Sequence, residues 1–278
     1  STVRADEFGA RGQDEGGLVH ILRVEVKLSP RPGRSVTPAG AGRPTCARIA
    51  GMSPSKAPHH WIPLSFLVFA AALSWLVFER AGFYWSLLWP AADCAAVGAA
   101  YFVQSGARVF GKRPDGGRDA PIALAMLPFL AVVWTVWRVQ VLLSPEDCWN
   151  EIAPGLFLGR RPLPGEHPPK LSLLVDLTAE FPKPAYHPAG VEYSCLPSLD
   201  AFVPEAEAFR ALIGKAAESR RVFVHCANGH GRSAAFAAAL LVRRGLAKDI
   251  DAAVALIRSV RPACRLNPAQ HAAALSAG

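Results

Sequence analysis

The stretch Arg221-Val222-Phe223-Val224-His225-Cys226-Ala227-Asn228-Gly229-His230-Gly231-Arg232-Ser233 decides how the rest of the chain is read. Val222 to Val224 is a short apolar run with β-branched residues, small residues and glycines follow it, and from Ser233 an alanine-rich pattern takes helical spacing. The pattern predicts a strand, a tight loop and a helix N-terminus. Such a loop turns successive N–H groups inward at the positive end of a helix, and its glycines allow close approach to an anion, so it suits a phosphate-like dianion. Cys226 and Arg232 sit at its two ends.

A thiol is only a few per cent thiolate at neutral pH, so an attacking Cys226 needs its anion stabilised by about 3 kcal/mol. A helix N-terminus supplies about 0.3–1 kcal/mol of this. The loop N–H groups and Arg232 must supply most of the rest. The guanidinium of Arg232 is a planar fork suited to two phosphate oxygens and to the charge that spreads over them during transfer. The Ser233 hydroxyl can hydrogen-bond the sulfur, and His225 can fix the loop through backbone hydrogen bonds. Ala227, Asn228, Gly229, His230 and Gly231, with Arg232, form the candidate phosphate-binding set.

These residues match the pattern H-C-x5-R-[ST], and the surrounding chain resembles the cysteine-dependent protein tyrosine phosphatase superfamily, specifically its compact dual-specificity branch. The resemblance covers about residues 150–275 and includes the run Ile152 to Gly159, which is similar to the start of such domains. It implies an α/β fold, a central sheet flanked by helices, and a catalytic cycle that needs no metal or other cofactor. The plain alternative is a strand-loop-helix corner with a buried cysteine. A zinc reading of Cys226 with His225 and His230 lacks further paired Cys or His at ligand spacing.

The sequence has 278 residues, a net charge of +8 and 51% apolar residues, enough for one catalytic domain and a membrane portion. The charge suits anionic lipid or phosphorylated partners, and no nucleic-acid motif accompanies it. Cys46, Cys94, Cys148, Cys195, Cys226 and Cys264 follow no framework spacing, so thiols are expected, with Cys195 or Cys264 open as a resolving partner for an oxidised Cys226.

Residues 1–51 read as a disordered tail, and one reading takes Met52, just ahead of the first apolar run, as the functional start. Residues 52–143 read as a transmembrane region of two or three helices, with candidate spans 62–78, 83–103 and 121–143. Asp93 falls within the second run. It is either paired, with Arg138 as a candidate, or a sign that this run does not cross. Arg108, Lys112, Arg113 and Arg118 in the following connection would lie in the cytoplasm by the positive-inside tendency. Three full spans would then put the catalytic domain on the other side, and two would keep it in the reducing cytoplasm, the side favoured for a free thiolate.

Residues 144–278 read as the catalytic domain, opening on a polar linker, Ser144 to Asn150, followed by a turn and one brief strand. Strands are expected at Leu171–Leu177 and Val191–Leu196. Helices are expected at Glu205–Ser219 and Ser233–Arg244, from Asp249 through Val260, and from an Asn267-Pro268 start. Cleaving a phosphoester requires a proton for the leaving oxygen, and Asp200, on a loop after a strand, is the chosen acid. Asp176 is its rival, with a structural hydrogen bond the expected role, and Glu205 and Glu207 suit a solvated first helical turn. A water-positioning role for Gln270 competes with simple capping.

The expected activity is a membrane-anchored phosphatase working through a phosphocysteine, with tyrosine or dual-specificity activity on phosphorylated proteins implied by the resemblance. One alternative is a lipid phosphomonoester phosphatase acting on a phospholipid such as a phosphoinositide or phosphatidylglycerophosphate. Another is a phosphate-binding module without turnover.

Overall fold

The computed structural model describes residues 61–80, 82–103, 106–202 and 204–278, so the expected tail and the Met52 start lie outside the described residues. Five strands form one mixed sheet in the order β1-β2-β5-β3-β4: β1 (Trp149–Ala153), β2 (Leu156–Arg160), β3 (Leu173–Thr178), β4 (Glu192–Ser198) and β5 (Val222–Cys226). β1 and β2 are antiparallel, and the remaining pairs are parallel. Alternation along the central strands sorts their side chains between two faces. Leu156, Leu158, Leu173, Val175, Val222 and Val224 enter the main core. Phe157, Leu174 and Phe223 form a smaller cluster with Cys148.

The main core is closed by α5 (Ala206–Glu218), α6 (Arg232–Arg243), α7 (Ile250–Val260) and α8 (Pro268–Ala277). Residues Arg232 to Leu241 of α6 are all buried, which its run of alanines permits because neighbours can approach a small side chain from every side. Asp249 caps α7 through the Ala252 N–H, and Asn267 with Gln270 makes a reciprocal capping box at α8.

Ahead of the sheet lie α1 (Trp61–Arg80), α2 (Leu88–Val103), α3 (Ala120–Ala125) and α4 (Leu127–Leu143). Among the described residues α1 is the one helix long and apolar enough to cross a membrane. Its length is about 30 Å, the thickness of a hydrocarbon core. The other two candidate spans are interrupted. Pro90 has no N–H to donate, and the segment before Leu88 is a short 3-10 helix, Gly82–Leu87. Pro128 likewise starts a new helix, breaking 121–143 at Met126.

The buried Asp93 carboxylate accepts the Phe129 N–H at 3.2 Å, rather than taking Arg138 as its partner. The connection after α2 also departs from expectation, because Lys112 is not a free flanking charge. Its ammonium is buried against Asp176 at 2.8 Å, and Arg118 Nη2 donates to Ala179 O at 3.3 Å. This connection therefore packs against the sheet at the end of β3. The arrangement with three full spans, which needs the two on opposite sides, does not fit.

Tyr101, Phe110, Met126 and Leu130 share an apolar cluster with Ala179 and Leu199, so helices and sheet share packing. Residues 144–150 are not a passive linker either. Trp149 and Asn150 open β1, and the run 152–159 makes two strands around Gly155 rather than one.

Candidate active site

β5 ends at Cys226 level with Arg160 of β2, and the loop Ala227 to Gly231 carries the chain into α6. The loop carbonyls are held from outside. Ala227 O accepts Arg161 N–H at 3.1 Å and Trp137 Nε1–H at 3.0 Å. Asn228 O accepts Arg261 Nη2 at 3.4 Å, Gly229 O accepts the Cys264 thiol at 3.4 Å, and His230 O accepts Arg265 N–H at 3.1 Å. In a trans peptide the C=O of one residue and the N–H of the next point in opposite directions, so outward carbonyls turn the following N–H groups inward. Gly229 N–H does so visibly, donating to Cys226 Sγ at 3.2 Å.

Gly229 must be glycine for two reasons. Its φ is +79°, and a Cβ there would overlap the carbonyl carbon of Gly159 on β2. Ser233 Oγ lies 3.3 Å from Cys226 Sγ, as its proposed role requires.

Arg232 is buried and held by Glu180, through Nη2–Oε1 at 2.7 Å and Nη1–Oε2 at 3.0 Å, and by Ser198 O at 2.7 Å. Burial opposes its charge, but Glu180 and Asp200 keep it protonated well above the ordinary arginine range. Its Nε has no hydrogen-bond acceptor and faces Asp200 Oδ1 at 3.5 Å. With the second hydrogen of Nη2, it leaves two adjacent donors for an incoming anion.

Asp200 is exposed on the turn after β4. The turn is tied down on both sides. Tyr101 donates to Asp200 O at 3.3 Å, and Asn267 Nδ2 donates to Ala201 O at 2.7 Å. Ala201 has a φ of 61°, a left-handed conformation that costs a non-glycine residue about 1–3 kcal/mol.

Asp176 is fully buried and accepts from Lys112, Tyr193 and the Thr178 hydroxyl and N–H, all within 2.8 Å. Burial works against its charge, yet Lys112, with His225 and Arg161 further off, holds its carboxyl far below the usual range. His225 is buried beside it, with Nδ1 3.4 Å from Cys226 O, and burial pushes the imidazole down to about 4. It is a neutral prop for the loop.

His230 does not point a charge at the loop centre. Its Nε2 is 2.6 Å from Glu146 Oε2, which also accepts Arg261 Nη2 at 2.9 Å. Gln270 is buried in its capping box and faces Gly231, where an added Cβ would lie 3.1 Å from its amide nitrogen. Cys195 and Cys264 are free thiols pushed up by burial to about 11 and about 12, which suits packing rather than exchange.

Sequence reading missed Glu180, Glu146 and the helix contacts. Glu180 stands just past the carboxyl end of β3, next to β5 in the sheet, and carboxyl ends of parallel strands are where ligands gather. That position was its signal. Along α4, Trp134 Nε1 donates to Glu180 O at 2.8 Å, Trp137 Nε1 to Ala227 O, and Gln140 Oε1 accepts Asn228 Nδ2 at 3.2 Å. Their successive three-residue spacing sets them along one side of the helix, and no local pattern announces their targets. A cavity of about 880 Å³ lies over Cys226 and Arg232 and extends between α1, α2 and α4.

No family profile matches the chain, and no curated protein matches it. The chain is similar to the solved structure of PTPMT1 in complex with PI(5)P, at 22% identity over 46% of this chain and 92% of that one, with a TM-score of 0.40. It is similar to human DUSP28 at 28% identity, over 45% and 91% of the two chains, with a TM-score of 0.38. A third similar structure is human tyrosine phosphatase-like serine/threonine/tyrosine-interacting protein, at 24% identity, 46% and 94% coverage and a TM-score of 0.41. Each of the three similarities covers slightly under half of this chain, and the described residues form a central mixed sheet with flanking helices.

Proposed function

We propose that this chain is a phosphatase that hydrolyses phosphomonoesters through a phosphocysteine, with residues 144–278 as its catalytic domain and α1 as its membrane anchor. The observation that carries this reading is the loop itself. Its carbonyls are bonded outward, Gly229 N–H rests on Cys226 Sγ, and the spare Nε of Arg232 lies 3.5 Å from Asp200.

In the first step Cys226 Sγ bonds to phosphorus as the ester P–O bond breaks, and the Asp200 carboxyl gives its proton to the departing oxygen. Arg232 and the loop N–H groups hold the three equatorial oxygens. In the second step a water oxygen bonds to phosphorus as the S–P bond breaks. The water proton goes to Asp200, and Ser233 hydrogen-bonds the departing sulfur. None of these steps calls on a metal.

Phosphotyrosyl and phosphoseryl proteins are the substrates that the family resemblance implies. The alternative, a lipid phosphomonoester, is favoured by the apolar cavity wall contributed by α1, α2 and α4. The exposed side chains Leu64, Val68, Phe69, Trp75 and Phe78 of α1 support a membrane anchor, and the free thiols suit a reducing, cytoplasmic side. A binding module without turnover would have no use for Asp200 beside the guanidinium.

The test is Cys226→Ser in the full chain with phenyl phosphate. Hydrolysis should disappear while orthovanadate or phosphate binding persists, and unchanged turnover would remove the assignment.

A further inference from the structure

The cavity over Cys226 has a wall that phosphate binding does not explain. Cys226, Arg232 and Gln270 form its floor, and Phe66 of α1, Val97 of α2 and Val133 and Val136 of α4 line its side. This wall begins where the loop ends. Trp137, next to Val136, donates to Ala227 O at 3.0 Å, and Tyr101, one turn beyond Val97, donates to Asp200 O at 3.3 Å.

Charges around the cavity limit what a headgroup can carry. Among its described lining residues, Arg232 pairs with both Glu180 and Asp200, His230 is turned to Glu146, and Arg265 is the one further cation. A headgroup with several phosphates finds only Arg265 beyond the loop, one cation for two or more added charges. A peptide fares no better, since each residue brings a donor and an acceptor that an apolar wall leaves unsatisfied. Several polar groups on this wall are already engaged: the Ser65 hydroxyl with Ile62 O, Gln140 Oε1 with Asn228, and Trp137 and Tyr101 as above.

We infer that the substrate is a lipid monophosphate whose hydrocarbon begins within a few bonds of phosphorus, with its phosphate in the Cys226 loop and its chain between α1, α2 and α4. This rests on the phosphatase reading and fixes its substrate class. As the S–P bond forms and the ester P–O bond breaks, the Asp200 proton goes to the lipid alcohol. Water then releases orthophosphate and returns a proton to Asp200.

The test uses the full chain in phosphatidylcholine nanodiscs, with kcat/KM measured for butyl, hexyl, octyl and decyl phosphate beside phenyl phosphate, inositol phosphate and a phosphotyrosyl peptide. Complete burial of one methylene corresponds to about fourfold, so a rise of about twofold or more per methylene is expected. The slope is measured again in Val136→Trp, which narrows the groove, and in Val133→Asn, which makes it polar. Partition into the bilayer is common to all three proteins, so a flatter slope in either variant assigns the dependence to the groove.

A flat slope in the original protein would overturn the inference, as would equal slopes in all three or preference for the peptide over decyl phosphate. In each case hydrolysis of phenyl phosphate would leave the phosphatase reading standing. Absence of phenyl phosphate hydrolysis would remove that reading and this inference together.

Discussion

Glu180 and Arg232 are joined by two parallel hydrogen bonds, 2.7 and 3.0 Å long, between a buried guanidinium and a nearly buried carboxylate. The pair fixes the plane of the guanidinium and leaves Nε facing the cavity. Replacing Glu180 by Gln keeps the shape but sets an amide donor against a guanidinium that cannot accept. Hydrogen bonds to charged groups are worth about 1.5–3 kcal/mol. We expect Glu180→Gln to lower kcat/KM for phenyl phosphate roughly ten- to a hundredfold. Steady-state kinetics with a thermal melt of the same sample checks this, and an unchanged kcat/KM in a folded variant would show that the clamp does not position Arg232.

Lys112 and Asp176 form a fully buried ion pair between the connection after α2 and the end of β3. Removing one partner from such a pair typically costs about 3–5 kcal/mol, because the other charge is left buried alone. Lys112→Met should therefore destabilise the protein by an amount of that order, and adding Asp176→Asn should recover a large part of it. Denaturant melts of the two single variants and the double variant give the coupling directly. Additive losses would mean that the pair does not hold the connection to the sheet.

His225 supplies a pH dependence of stability. Its folded value of about 4 lies below the ordinary histidine value near 6.5, so the unfolded chain binds more protons between these pH values. Stability from this group is complete above about pH 6.5 and is lost as pH falls toward 4, by on the order of 3 kcal/mol. The depressed Asp176 carboxyl acts in the same direction at lower pH, below its ordinary range. We expect the melting temperature to fall from pH 7 to pH 4.5, and to fall less in His225→Gln. Equal pH slopes in both proteins would contradict a neutral buried imidazole at this position.

How much of this was legible in sequence depended on distance along the chain. Val222 to Arg243 holds strand, loop and helix in one contiguous run, so residue types and spacing could place Cys226 and Arg232 at the ends of the loop. The caps at Asp249 and Asn267 are equally local. Glu180 lies 52 positions from the arginine it holds, and Trp137 lies 90 positions from the carbonyl it supports. Only the sheet order and the docking of α4 bring these together. Arg261, 115 positions from Glu146, is a further case, since a carboxylate in an apparent linker gives no sign of a buried guanidinium far downstream. The helical region differs from its expected two or three spans for another reason, since among the described residues α1 is the one helix long and apolar enough to cross a membrane. Hydropathy averages over a run, whereas Pro90 and Pro128 act at single backbone positions and set where a continuous helix can begin.

The central claim is that the Cys226 sulfur takes the phosphoryl group. Rapid-quench mass spectrometry of the full chain mixed with excess phenyl phosphate measures this most directly. One phosphoryl group should appear on the peptide containing Cys226 within a single turnover, and none should appear in Cys226→Ser. Phenol release at full rate with no adduct on that peptide, or an adduct that survives Cys226→Ser, would contradict it.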